Sequence, residues 1–322
     1  MAQMAYSNAG PGAIEDLLGE ELAVADRAQA NTGPILRHLL ANDDQSVFSD
    51  EIIARVRGMM MDLARQLIVA LAEVAGHEEP QAWAHEASED LGTAFLGVPA
   101  LLAHAHALAL EWHVAERLHV RLALDPVLSP LLQTMIASQD PATAASAMKL
   151  LAAQARFGQS VRRMQLPLNE LPGDLFHIVM LTMRSYLGDT PDADAQAHQA
   201  ELALRARQDG RNSRIALMDG LIRGMGGQAE GALAIDNAGV SLFATGLAIG
   251  SGLDRDTAVF AMTESQLARL VLALSASGLK SEAITAQFVT LHPEITLPKG
   301  LEHLRADRAA ALLARFGEAL AH

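Results

Sequence analysis

The chain has 322 residues, half of them hydrophobic, with a formal net charge of −14 and no cysteine. That length supports a sizeable core in one large or two smaller domains. The missing thiols exclude disulfides, zinc fingers, thiolate nucleophiles and iron–sulfur clusters. The acidic balance repels phosphate backbones and anionic membrane surfaces at long range, so neither nucleic acid nor membrane is an expected partner.

The first residues, "MAQMAYSNAGPGAIEDLL", carry neither a basic stretch nor an apolar run. Residues 1–12 therefore read as a short disordered tail rather than a signal peptide, and the expected compartment is the cytoplasm. Arginine far outnumbers lysine and alanine is abundant, a bias that fits a GC-rich bacterial genome. From residue 49 the sequence "SDEIIARVRGMMMDLARQLIVALAEVAG" places Ile52, Val56, Met59, Met60, Leu63, Leu67, Ala70, Leu71 and Val74 on one helical stripe. Ser49 or Asp50 suits the N-cap, and Gly76 suits the stop. Two of the three consecutive methionines lie on that stripe, which points to core packing rather than a cofactor surface.

Two charge-free runs, Leu91 to Leu110 and Asn237 to Leu253, invite a membrane reading. Pro99 and the histidines interrupt the first and four glycines the second, so buried helices are the better expectation. No segment alternates with the period of a strand, and the chain is predicted to be all-α. Breaks are expected at 31–34, 76–80, 125–130, 139–141, 166–174 and 187–195, where Pro, Gly and Asp interrupt the pattern. They imply about a dozen helices. The last break is the most linker-like and separates an expected N-terminal helical domain, 13–190, from a C-terminal domain, 199–322.

In that C-terminal part "SGLDRDTAVF" starts at Ser251 and "SGLKSEAITAQF" at Ser277, with Gly226 one further step of the same length upstream. The spacing predicts helical hairpins turning at Gly226, Gly252 and Gly278, stacked as in an α-solenoid. At "LDRDTAVFAMTESQLARLVLALSASGLKSEAITAQFVTLHPE", with "LLQTMIASQDPATAASAMKLLAAQARF" upstream, the chain resembles an uncharacterised alphaproteobacterial helical family catalogued only as a domain of unknown function. The resemblance spans residues 125–300 and implies a HEAT-like arrangement. It carries no activity and no functional residues.

Between Arg65 and Arg117 there is no Lys or Arg, while eight carboxylates and five histidines fall in that interval. His113, Glu116 and His119 stand at i, i+3 and i+6, so adjacent pairs can meet, but the outer two diverge by about 120° around the helix. Glu116 and His119 make a single Glu-x-x-His unit, whereas a di-iron bundle needs two and further carboxylates. These three are the metal candidates, set against histidines hydrogen-bonded to neighbouring carboxylates or water at the surface. "GMGGQAEG" fits the loose Gly-x-Gly-x-x-Ala pattern, but no strand precedes it and it is better explained as a turn. No Walker A motif and no nucleophile elbow is present, and neither a catalytic residue nor a cofactor is expected.

Arg205, Arg207, Arg211, Arg214 and Arg223 form a locally basic stretch in an acidic chain. Guanidinium groups pair bidentately with carboxylates, so these five are the candidates for receiving a protein partner. The competing reading is a solvated face paired with acids elsewhere in the fold. The sequence thus points to a non-enzymatic helical-repeat interaction or regulatory protein, with a metal-binding or enzymatic bundle built on segment 77–119 as the alternative.

Overall fold

A computed structural model describes residues 13–41, 50–188, 190–208 and 210–317. The expected tail at 1–12 and the cap candidate Ser49 lie outside the described residues. The described chain is all-α: α1 (Ala13–Ala41), α2 (Asp50–Ala75), α3 (Pro80–Leu96), α4 (Pro99–Leu122), α5 (Pro130–Ile136), α6 (Pro141–Arg162), α7 (Gly173–Leu187), α8 (Pro191–Arg207), α9 (Arg214–Gly224), α10 (Ile235–Ser251), α11 (Arg255–Ala261), α12 (Leu267–Ala276), α13 (Ser281–Leu291) and α14 (Ala306–Gly317). Short 3-10 turns fill several connections. Helices α3, α4, α5, α6 and α8 each begin on proline, whose fixed φ and missing N–H suit the first helical position.

The chain divides into two compact units, one of residues 1–32, 110–148 and 218–322, the other of residues 33–109 and 149–217. Each gathers separated stretches, and the linker-like segment 187–195 runs within the second unit.

In the second unit α2 is central. Its stripe from Ile52 to Leu71 is buried as the periodicity predicts, with Val74 half-buried at the end. Helix α3 packs on it through Gly92, which lies against Met61. Gly58 lies against the loop after α6, where a Cβ would come within 2.5 Å of the Met164 Cβ.

In the first unit α10 is buried at almost every position from Ile235 to Ala248 and packed by α5, α11, α12 and α13. It bends at Gly239, where φ is +69° and a Cβ would lie 3.0 Å from that of Ser129 before α5. Far ends of the chain meet in this unit: Arg269 pairs with Asp26, and the Gln266 amide donates to the Ala25 carbonyl over 2.9 Å. Burial pushes the Asp26 carboxyl up and the Arg269 guanidinium down, against their mutual attraction.

Gly226, Gly252 and Gly278 all have positive φ, and each comes within two residues of the end of an α-helix. The first, however, opens a 3-10 segment (Gly226–Leu233) rather than a second α-helix, so the hairpin at that position is not built like the other two. The break expected at 31–34 does not occur. α1 continues through Pro34, and two residues earlier the Thr32 hydroxyl donates to the Ala28 carbonyl at 2.9 Å. Conversely, the charge-free run from Leu91 is cut at Gly97 and Val98, where α3 and α4 meet at a bend of 93°. Among the described residues no single helix is long and apolar enough to cross a membrane.

Candidate functional site

The second unit holds a cleft of about 450 Å³ whose walls are one edge of α2 and the C-terminal end of α8. From α2 come Arg65, Gln66, Val69 and Glu73, which one- and four-residue steps place along a single edge beside the buried stripe. From α8 come Leu204 and Arg207, with Gln208 beyond, and Pro167, Leu168 and Asn169 supply the floor.

The floor is tied down. The Gln66 amide donates to the Leu166 carbonyl at 2.8 Å and to the Asp62 carboxylate at 2.7 Å, while that carboxylate accepts the Leu166 N–H at 3.2 Å. One residue past the floor, Glu170 accepts from the Arg214 Nε at 2.9 Å, and its carbonyl lies 3.0 Å from the His104 Nε2. The Arg214 guanidinium sits 3.6 Å from the Phe157 ring centroid, and Gln154 accepts from it at 3.4 Å. Arg214, Glu170, Gln154 and His104 are all buried. A buried ionic network with this many partners costs heavily if disturbed, so the backbone carrying Pro167 to Asn169 is preorganised.

The rim is charged and wet. Arg207 donates to the Glu73 carboxylate at 2.9 Å and Arg65 to Asp62 at 2.7 Å, and both guanidinium groups remain substantially exposed. Each guanidinium has five N–H donors in a planar fork, so one ion pair leaves capacity for a further carboxylate. Side-chain amides of Gln66, Gln81, Asn169 and Gln208 complete a lining of donors and acceptors with two cations and one anion. No lining residue carries a hydroxyl or an imidazole, and the one carboxylate of the lining, Glu73, is engaged by Arg207.

The five arginines singled out by sequence do not share one surface. Arg205 pairs with Glu201 at 2.7 Å and lies 5.4 Å from the Phe176 ring centroid, and Arg207 lines the cleft. The Arg211 side chain lies outside the described residues. Arg214 is corrected from a partner-facing residue to a core one, because it is 1 % exposed and neutralised by Glu170. Arg223 belongs to the other unit and pairs with Asp219 at 2.8 Å.

The histidine-rich segment also departs from expectation. His104 and His106 are buried rather than at the surface, and burial pushes His106 down to about 4. His113 and Glu116 are half-buried, while His119 is exposed with its Nδ1 3.2 Å from the Leu124 carbonyl. Among the described residues no three His, Asp or Glu side chains stand where they could hold one metal ion.

No protein-family model matches the chain, and searches of curated proteins and of solved structures find no match.

Sequence reasoning missed Arg65, Gln66, Glu73, Gln81 and Asn169 as site residues. The available signal was the polar edge of α2, where Asp62, Arg65, Gln66 and Glu73 interrupt the otherwise apolar run from Met59 to Val74.

Proposed function

We propose that the chain is a non-catalytic binding protein whose second unit receives an acidic segment of another protein in the cleft between α2 and α8. The observation that carries this reading is the placement of Arg65 and Arg207 in one cleft over a floor fixed by buried hydrogen bonds. Guanidinium forks and side-chain amides match carboxylates and peptide groups, and a pre-set floor reduces the ordering cost of binding. Duplex nucleic acid fits less well, because phosphate contacts in number are needed for affinity and the chain's net charge of −14 opposes them. The cytoplasm is the setting this reading assumes, and kinship with the helical family of unknown function belongs to the same proposal.

The test is Arg65→Glu with Arg207→Glu, read by titration with a labelled hexaglutamate peptide and by recovery of partners from the native host. The wild type should bind the peptide in a salt-sensitive way. The double variant should lose that binding at least tenfold and lose a co-purifying partner, with its thermal midpoint nearly unchanged. Equal binding by both proteins, or tighter binding of duplex DNA than of the peptide, would overturn the reading.

A further inference from the structure

The first unit contains a pocket of opposite character. It encloses about 70 Å³ between the N-terminal half of α1, the start of α12 and the chain after α13, with Leu18, Val271, Phe288 and Leu297 among its apolar walls. Two carboxylates reach it, Glu21 from α1 and Glu264 from the turn before α12, the first half-buried and the second exposed. No Lys or Arg lines the pocket, and among the described residues neither acid makes an ion pair.

Glu264 acts electrostatically on His292, which is 4 % exposed: burial holds that imidazole down to about 4, with Arg117 and Arg121 reinforcing the shift and Glu264 opposing it. At neutral pH it is uncharged and cannot serve as the counter-ion. The pocket therefore pairs a largely apolar wall with two carboxylates that have no ion-pair partner among the described residues. By the same kind of measure a cavity of about 150 Å³ accommodates the six carbons of benzene, so this volume suits an unbranched chain of about three carbons rather than a ring.

We propose that this pocket binds a short alkylammonium group, its methylenes against Leu18, Val271, Phe288 and Leu297 and its charge held by Glu21 and Glu264. Apolar walls with a few convergent polar groups are the usual make-up of a small-ligand site, and the charges select a cation over a neutral or anionic isostere. The site lies in the first unit and does not depend on the arginine cleft of the second.

The experiment is ligand-observed NMR titration of the full chain with n-propylammonium, n-propanol and propanoate, repeated on Glu21→Gln with Glu264→Gln. Propylammonium should saturate at millimolar concentration, and about tenfold tighter than propanol, a ratio worth about 1.4 kcal/mol. Propanoate should not bind. The glutamine variant should lose the preference for the cation yet still take propanol, which separates loss of charge from loss of fold. A capped lysine amide, tested alongside, distinguishes a free amine from a protein-borne lysine as the natural source. Binding of propanoate as tightly as the amine, an unchanged preference in the variant, or no saturable binding of propylammonium would each overturn the proposal.

Discussion

Arg214 Nε lies 2.9 Å from Oε2 of Glu170, with both side chains withdrawn from water and 44 positions apart in the chain. Removing one member strands a buried charge. Glu170→Ala is therefore expected to destabilise by roughly 3 to 5 kcal/mol, whereas Arg214→Met combined with Glu170→Leu should cost far less. Urea unfolding of the single and double variants checks the ordering. A double variant less stable than either single one would show that the pair contributes net stability.

Acid should weaken the fold through two histidines. Burial holds His106 and His292 down to about 4, below their ordinary 6.5. Between those values the unfolded chain binds protons that the folded chain refuses. Their contribution is present in full above pH 6.5 and is lost as pH falls toward 4, up to about 3 kcal/mol for each. Relief of self-repulsion as the chain approaches its pI near 5.2 acts in the opposite direction. The urea midpoint should therefore drop between pH 7.5 and 5, and a rise over that range would show that these imidazoles are solvated.

Two glycines inside helices should respond to alanine with opposite signs. Alanine gains roughly 1 kcal/mol over glycine in a helix interior. At Gly220 of α9 an added Cβ meets nothing within 4 Å, so Gly220→Ala should stabilise by about 0.5 to 1 kcal/mol. At Gly58 the Cβ would lie 2.5 Å from the Met164 Cβ and 2.9 Å from its carbonyl oxygen. The loop there is pinned to Asp62 and Gln66, so Gly58→Ala should destabilise by about 1 to 3 kcal/mol despite its better propensity. Parallel thermal melts decide both.

Gly252 and Gly278 have φ of +77° and +89° with open space where a side chain would go. The cost of Gly252→Val or Gly278→Val is then backbone strain alone, about 1 to 3 kcal/mol. Asn, which tolerates the left-handed region better, should recover part of it. Equal stabilities for the Asn and Val variants would mean that the cost lies elsewhere.

The apolar stripe of α2, the proline starts and the glycine turns were legible because each depends on residues close in sequence. The burial of His104 and Arg214 was not. Their partner is the segment around Glu170, 66 and 44 positions away, and nothing local distinguishes an imidazole or guanidinium facing a buried acceptor from one facing water. Pro34 misled for a related reason, since a helix can absorb one missing hydrogen bond when the turns around it are otherwise intact. The cleft was half-visible: Arg207 stood out in the basic stretch, but its companions on α2 lie more than a hundred positions upstream.

The interleaving of the two units imposes an order on biosynthesis. All the residues of the second unit have been made once the ribosome has passed residue 217, so Arg214 can find Glu170 while the rest is still being translated. The first unit has no such opportunity. Asp26 waits for Arg269, and Ala25 for Gln266, so these contacts can form only after about 240 further residues have been added, a late closure of the kind that slows folding.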